Sequence, residues 1–188
     1  MDKLSIPYDI LVPDIDESLL PSEGVEEHIL RLSKEKALKV AMNLPKEKRP
    51  ALVIACDSVC ILNGEIMSKP ETHENAVRQL ESSSGKIVYF YSGLTLYNTH
   101  LQTFQQEVVK TEVHFKHLSN SLIQAYLEKD KPYHCAGSLR AEGLGIILIE
   151  KMIADDPNSL VGLPLISLVK MLENEGFYCY HQLADNFP

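Results

Sequence analysis

The stretch Leu52-Val53-Ile54-Ala55-Cys56-Asp57-Ser58-Val59-Cys60 drives an apolar, β-branched run into a carboxylate. Such a run predicts a buried strand, and we expect that strand to end at Asp57. Open α/β sheets bind their ligands beyond the carboxyl ends of their strands, so Asp57 is predicted to face a ligand site. The alternative is a strand end at the surface with an incidental salt bridge.

A tight turn follows at Asn63-Gly64. Between two short apolar runs this pair predicts a β-hairpin. The returning arm leads into Ser68-Lys69-Pro70, so we expect Lys69 to come back alongside Asp57. An acid and a base brought together in this way indicate a site for a metal and a phosphate.

The size and charge of the chain limit its class. Its 188 residues fit one domain, residues 1–188, with two lobes. The chain has 18 basic and 26 acidic residues, a net charge of −8, which argues against nucleic-acid and membrane-surface partners. No apolar run approaches the roughly 20 residues that a membrane span needs.

The cysteines and the first residues bear on the compartment. Four cysteines show neither C-x-x-C nor zinc-ligand spacing, which predicts reduced thiols. The first residues lack the apolar core of a signal peptide. Together these features predict a cytoplasmic protein.

Periodicity and turn residues predict the remaining elements. An acidic loop at residues 13–18 is either a solvated turn or a source of ligands for a hard cation. Two glycines around Leu144 suggest a close backbone approach. Strands are predicted at residues 8–12, 86–97, 104–115 and 146–149; helices at residues 25–42, 72–83, 119–128 and 165–175.

The sequence also contains a series of short motifs, which are Asp16-Glu17, Lys36-Ala37, Asp57-Ser58, Gly64 with Lys69-Pro70, Ser84-Gly85, Ser92-Gly93, Ala136-Gly137, Glu142-Gly143 and Val161-Gly162-Leu163-Pro164. In this order and spacing the motifs resemble the Maf family of nucleotide pyrophosphatases. Within that family, the surroundings of Cys135 and Glu142 look like the 7-methyl-GTP pyrophosphatase subgroup.

The resemblance implies an α/β fold, with an elongated mixed β-sheet flanked by helices and a central nucleotide-binding cleft. It also implies a homodimer that hydrolyses a nucleoside triphosphate to the monophosphate and pyrophosphate with a divalent cation, Mg²⁺ or Mn²⁺. On this resemblance Asp57 accepts a proton from the attacking water and Glu17 is a second, substrate-binding acid. Both acids are candidate metal ligands, whereas Lys36 and Lys69 contact phosphate.

The resemblance further implies that Ser58 and Glu142 select the base. Glu142 stands where general nucleotide pyrophosphatases of the family more often carry glutamine. Methylation at N7 gives guanine a positive charge that attracts a carboxylate, and the carboxylate can accept two hydrogen bonds from guanine. The alternative is that Glu142 only caps a turn before Gly143.

The sequence departs from the usual pattern of the family at the start of the chain. The family usually opens with an apolar strand and a Ser-x-Ser-Pro-x-Arg turn that grips the triphosphate, and nothing before Tyr8 matches it. We expect either that the start has been placed too late, which we favour, or that the product lacks this segment. A product without the segment would be a catalytically impaired nucleotide-binding or regulatory protein.

Overall fold

The computed structural model describes residues 1–180 and has the predicted α/β class. Its helices are α1 (Val25–Asn43), α2 (His73–Ser83), α3 (Asn120–Asp130) and α4 (Leu165–Asn174). Its strands are β1 (Leu52–Leu62), β2 (Glu65–Met67), β3 (Ile87–Asn98), β4 (Thr103–Phe115) and β5 (Ile149–Ala154). None of the helices in residues 1–180 combines the length and hydrophobicity that a bilayer crossing requires.

The strands form one five-stranded sheet in the order β2-β1-β3-β4-β5. β1 pairs antiparallel with β2, and β4 pairs antiparallel with β5. The Thr99 N–H, just after β3, donates to Ala51 O, just before β1, at 3.0 Å, so these strands also run in opposite directions. The resemblance implied a mixed sheet, whereas the described strands pair antiparallel because short turns join several of them.

The described residues fall into two compact units. Unit 1 comprises Met1–Asp57, Gly93–Val108 and the described residues after Gly162. Unit 2 comprises Ser58–Ser92 and Val109–Gly162. The prediction of one domain over residues 1–188 stays a prediction.

Each unit has its own apolar core. In unit 1, α1 packs on β1 through two alanines, and leucines of α4 pack on β3. In unit 2, α2 and α3 cover β1, β3 and β4. The largest buried side chains of unit 2 are Leu80, Val88, Phe115, Ile123, Tyr126, Leu127 and Leu148.

Local signals at the helix ends are confirmed. The Thr72 hydroxyl caps α2 by accepting from Asn75 N at 3.2 Å, and Ser119 caps α3 by accepting from Leu122 N at 3.2 Å. Gly176 follows α4 with φ +77°, a conformation that favours glycine. These caps explain why the predicted helices begin close to their observed positions.

Three predicted strand positions are wrong. β1 does not end at Asp57 but runs to Leu62, because the apolar residues after Ser58 continue the pairing as far as the Asn63-Gly64 turn. Residues 8–12 form no strand, since no described strand pairs with them, and Val12 is 91% exposed. Most of residues 146–149 lies in a 3₁₀ turn, Leu144–Leu148, which β5 follows.

Candidate active site

Lys36 forms ion pairs with two acidic side chains of unit 1, Asp57 and Glu17. Its Nζ lies 2.6 Å from Asp57 Oδ1 and 2.6 Å from Glu17 Oε1. The Asp57 side chain is 11% exposed, whereas that of Glu17 is 49% exposed. Lys36 therefore joins a largely buried acid to one at the surface, and three of the predicted site residues lie together.

Packing between α1 and β1 places Lys36 beside Asp57. Val53 and Asp57 are four residues apart on a strand and so share one face. Ala37 and Ala41 of α1 pack with Val53. Because Lys36 directly precedes Ala37, its side chain starts close to this face of β1 and reaches the carboxylate.

Gly93 on β3 allows the close approach of α1. A Cβ at this position would lie 2.9 Å from the carbonyl oxygen of Ile29 in α1. That oxygen belongs to the helix backbone and cannot move independently of the helix. A larger residue at 93 would therefore push α1 away from the sheet.

The two acids also control the charge of Lys36. Burial by itself would lower the pKa of the ammonium group. The hydrogen bonds to Asp57 and Glu17 outweigh burial, and the pKa of Lys36 is raised. Lys36 is therefore a cation at neutral pH and offsets part of the negative charge of the two acids. We call the three residues Glu17, Lys36 and Asp57 the acid group.

Arg31 anchors the loop that carries Glu17. Its Nη2 donates to Ser18 O at 2.9 Å, one residue after Glu17. Its Nε lies 2.6 Å from Glu23 Oε1, and the Glu23 side chain is only 8% exposed. Arg31 thus fixes the backbone next to one of the predicted substrate-binding acids.

The role of Arg31 was not predicted, although the sequence carries a signal for it. Glu23, Glu27, Arg31 and Glu35 recur every four residues, which is the spacing of neighbours on one helix face. Glu23 lies just before α1, and Glu35 accepts from Arg31 Nη1 at 3.3 Å. The spacing predicts the ion pairs, but only the fold brings Ser18 to them.

Lys69 belongs to unit 2, where the predicted hairpin is confirmed. β1 and β2 pair from Leu62 opposite Glu65 to Cys60 opposite Met67. Lys69 follows two residues after the last pair and is exposed. Its contact with Asp57 or with phosphate stays a prediction.

The loop that carries Glu142 is also in unit 2 and is held by neighbours of Glu142. The Tyr126 hydroxyl donates to Ser138 O at 3.0 Å and accepts from Arg140 N at 2.9 Å. Asp130 Oδ2 accepts from Leu144 N at 2.8 Å. These contacts fix both ends of the loop without using the Glu142 carboxylate.

Gly143 leaves room for the Asp130 carboxylate, which accepts from Leu144 N. A Cβ there would lie 2.6 Å from Asp130 Oδ2, inside normal contact distance. The Glu142 side chain is 47% exposed, and its Oε1 lies 3.4 Å from Arg140 Nε. The loop therefore presents Glu142 at the surface beside one cation.

Ser58 of unit 2 is exposed, and its hydroxyl contacts a buried partner. Ser58 Oγ lies 2.8 Å from Ser92 Oγ, and Ser92 is 1% exposed. The two predicted base-selecting residues are therefore held in different ways. A contact of its own hydroxyl holds Ser58, whereas the fixed backbone of its loop holds Glu142. Contact of either with a base stays a prediction.

Several charged side chains of unit 2 affect the pKa of the Cys135 thiol. Burial is the main cause that raises the pKa of the Cys135 thiol, and Glu142 raises it further, whereas Arg140 and Lys69 lower it. The four cysteines are thiols, as their spacing predicts.

Comparison with known proteins places these features in a family. Residues 1–175 match the family described as Maf-like protein. The chain belongs to that family. This result confirms the resemblance on which the predicted site residues rest.

Two relatives of this Maf-like chain carry the name 7-methyl-GTP pyrophosphatase. The protein from Vibrio parahaemolyticus is 42% identical over 177 residues, which cover 94% of this chain and 89% of the relative. The protein from Nitrosococcus oceani is 46% identical over 175 residues, 93% of this chain and 86% of the relative. The similarity therefore includes both units.

The acid group of this Maf-like chain supplies two carboxylates of the kind that hold hard divalent cations. Glu17 and Asp57 point their oxygens at one cationic atom, Lys36 Nζ, and carboxylate oxygens are the ligands that Mg²⁺ and Mn²⁺ prefer. Within residues 1–180, no cluster of three or more His, Cys, Asp or Glu side chains is arranged to hold a metal. Two carboxylates fit a cation whose other ligands are phosphate oxygens and water.

Proposed function

We propose that this Maf-like protein hydrolyses the α–β phosphoanhydride of 7-methyl-GTP. A water oxygen forms a bond to the α-phosphorus, and the bond from that phosphorus to the bridging oxygen breaks. The products are 7-methyl-GMP and pyrophosphate. The relatives named 7-methyl-GTP pyrophosphatase, at 42% and 46% identity over nearly the whole chain, support this substrate.

The acid group Glu17–Lys36–Asp57 is the observation that carries the proposal. Asp57 accepts the proton of the attacking water, because a largely buried carboxylate can hold one water in a fixed orientation. Lys36 is charged and lies against Asp57, so it places positive charge beside the reacting phosphate. Lys69 contacts the departing pyrophosphate as a second cation.

Glu17 and Asp57 would hold the divalent cation, Mg²⁺ or Mn²⁺. When bound, this cation neutralises the negative charge that develops on the pyrophosphate. The carboxylates are already close to one another through Lys36, which supports a shared ligand. Glu17 is anchored through Arg31 and Ser18, so its carboxylate reaches the cation from a fixed loop.

Ser58 contacts the base, as the family resemblance implies, and Glu142 selects it. Its half-exposed carboxylate meets the positive charge of 7-methylguanine and accepts hydrogen bonds from the guanine edge. The protein acts as a homodimer, as the family resemblance implies, and it acts in the cytoplasm, as the features of its first residues and cysteines predict. Analytical ultracentrifugation of the purified protein tests the dimer, and a single sedimenting species at the monomer mass would contradict it.

The reaction is tested in water enriched in ¹⁸O with 7-methyl-GTP and Mg²⁺ or Mn²⁺. We expect the label in 7-methyl-GMP and unlabelled pyrophosphate, because attack is at the α-phosphorus. Label in the pyrophosphate would place the attack at the β-phosphorus, and release of orthophosphate would show cleavage of the wrong bond. Tight nucleotide binding without hydrolysis would favour the alternative of a catalytically impaired nucleotide-binding protein.

A further inference from the structure

A chain of hydroxyl groups in unit 2 runs from exposed Ser58 into the core. Ser58 Oγ lies 2.8 Å from Ser92 Oγ, and Ser92 Oγ donates to Ser159 O at 3.0 Å. Ser92 and Ser159 are 1% and 2% exposed. The inner end of this chain is therefore closed to water, and only its outer end can meet a ligand.

The direction of this chain follows from counting protons. A serine hydroxyl has one proton, and a carbonyl oxygen only accepts. Ser92 Oγ donates its one proton to Ser159 O, since two oxygens 3.0 Å apart without a proton between them would repel. Ser58 must therefore donate its own proton to Ser92 Oγ, and nothing but lone pairs remains on Ser58 for a ligand.

The carbonyl that sets this direction is held in place. Gly162 N also donates to Ser159 O, at 3.0 Å, so both lone pairs of that oxygen are used. Ser159 Oγ donates to Asp156 O at 2.7 Å, and Thr111 Oγ1 lies 2.6 Å from Ser159 Oγ. Because Ser159 gives its proton to Asp156, Thr111 must donate to Ser159, and the turn cannot rotate without breaking several buried hydrogen bonds.

We propose that Ser92 is a positioning residue that makes Ser58 a pure hydrogen-bond acceptor, so that the protein selects a base with an N–H donor at C2. The proposal rests on the proposed function, in which Ser58 contacts the base. Guanine and 7-methylguanine carry an amino group at C2. Xanthine carries an oxygen there, which would face the lone pairs of Ser58 and find no proton.

The test compares GTP with XTP in the parent protein and in Ser92→Ala. The parent should favour GTP in kcat/KM by tenfold or more. In Ser92→Ala the Ser58 hydroxyl is free to rotate and can donate to the xanthine oxygen. XTP turnover should then rise relative to GTP turnover, and the preference should fall about tenfold, the effect of one directed hydrogen bond.

Three further variants isolate the hydroxyl chain. Ser92→Thr keeps a hydroxyl and should keep the preference, which would exclude a merely structural role. Ser83→Ala removes another buried serine of unit 2, bonded to Gln79 O within its own helix, and should leave the preference unchanged. Ser58→Ala removes the acceptor, so kcat/KM for GTP should fall while kcat/KM for XTP stays nearly unchanged.

Binding of α,β-methylene analogues of GTP and XTP keeps the inference separate from the proposed reaction. If the parent hydrolyses neither these nucleotides nor 7-methyl-GTP, the proposed function fails, but the ratio of dissociation constants for the two analogues still tests Ser92. A parent that binds both analogues equally would overturn the inference. So would a Ser92→Ala protein that folds and keeps the parent's preference.

Discussion

The acid group of unit 1 and the Glu142 loop of unit 2 both carry predicted site residues, but different forces hold them. Glu17 and Asp57 each contact Lys36 directly, with both acids 2.6 Å from its Nζ. Glu142 contributes little to its own loop, whose shape depends on Tyr126, Asp130 and backbone groups.

This difference separates two kinds of function. A residue in the acid group cannot change its charge without changing the environment of the other two. Glu142 can change while its backbone remains in place, because its carboxylate contacts the loop through a long, exposed hydrogen bond from Arg140 Nε, at 3.4 Å. We therefore expect unit 1 changes to alter rate and stability together, and Glu142 changes to alter preference between substrates.

The largest effect is expected for Asp57→Asn. Loss of a general base should lower kcat for 7-methyl-GTP by roughly 10² to 10⁴. The unfolding free energy should also fall, by about 1.5 to 3 kcal/mol, because a hydrogen bond between charged groups is lost at a largely buried position. Pyrophosphate release and urea denaturation measure the two effects, and a variant that keeps more than half its activity would contradict the role of Asp57.

Lys69→Ala should have a smaller effect on turnover and almost none on folding, since Lys69 is exposed and follows the paired part of its hairpin. Loss of one charged contact to phosphate is worth about 1.5 to 3 kcal/mol, or roughly 10-fold to 150-fold in affinity. Calorimetry with α,β-methylene-7-methyl-GTP measures it. Lys86→Ala, another exposed lysine of unit 2, is the matched control, and equal affinity in the Lys69 variant and the parent would contradict the phosphate contact.

Glu142→Gln should change preference and leave stability nearly unaltered. The neutral amide loses the attraction to the charged 7-methylguanine ring, so the ratio of kcat/KM for 7-methyl-GTP over GTP should fall by on the order of tenfold, about 1.4 kcal/mol. An unchanged ratio would mean that Glu142 is only a turn residue. A large loss of stability would instead show that the loop depends on its carboxylate, and the contrast between the two units would fail.

Much of the helical structure could be predicted because its signals are local. Thr72 and Ser119 mark helix starts, and Gly176 marks an end, through groups within four residues of the boundary. The β1–β2 hairpin could be predicted for the same reason. The end of β1 could not, because two polar residues in mid-strand resemble a strand end until the pairing of Cys60 with Met67 is known.

The acid group could be predicted only from the family resemblance. Glu17, Lys36 and Asp57 are separated by about twenty residues each, and no periodicity relates them. Their contact depends on Gly93 and the alanines of α1, which bring the helix close to β1 and β3. Arg31 was within reach of sequence reasoning through its four-residue spacing, but its contact with Ser18 O depends on tertiary structure.

The smallest effect is expected on the stability of the acidic loop at low pH. The hydrogen bond from Arg31 is the main cause that lowers the pKa of Glu23, from its ordinary 4.5 to about 2. A carboxyl whose pKa is lower in the folded state stabilises fully above its unfolded pKa and loses that contribution as pH falls toward its folded pKa. Hydrogen bonds from Ser18 lower the pKa of Asp16 in the same loop.

Glu23→Gln should therefore melt at a lower temperature than the parent at pH 7, and the gap should close as pH falls from about 4.5 toward 2. Thermal unfolding at several pH values measures the gap. Glu128→Gln, an exposed acid of unit 2 on α3, is the control and should show no such pH-dependent gap. If the difference in melting temperature between Glu23→Gln and the parent stays constant with pH, Arg31 does not hold the loop through the charge of Glu23. The electrostatic explanation of how Arg31 anchors the acidic loop would then be wrong.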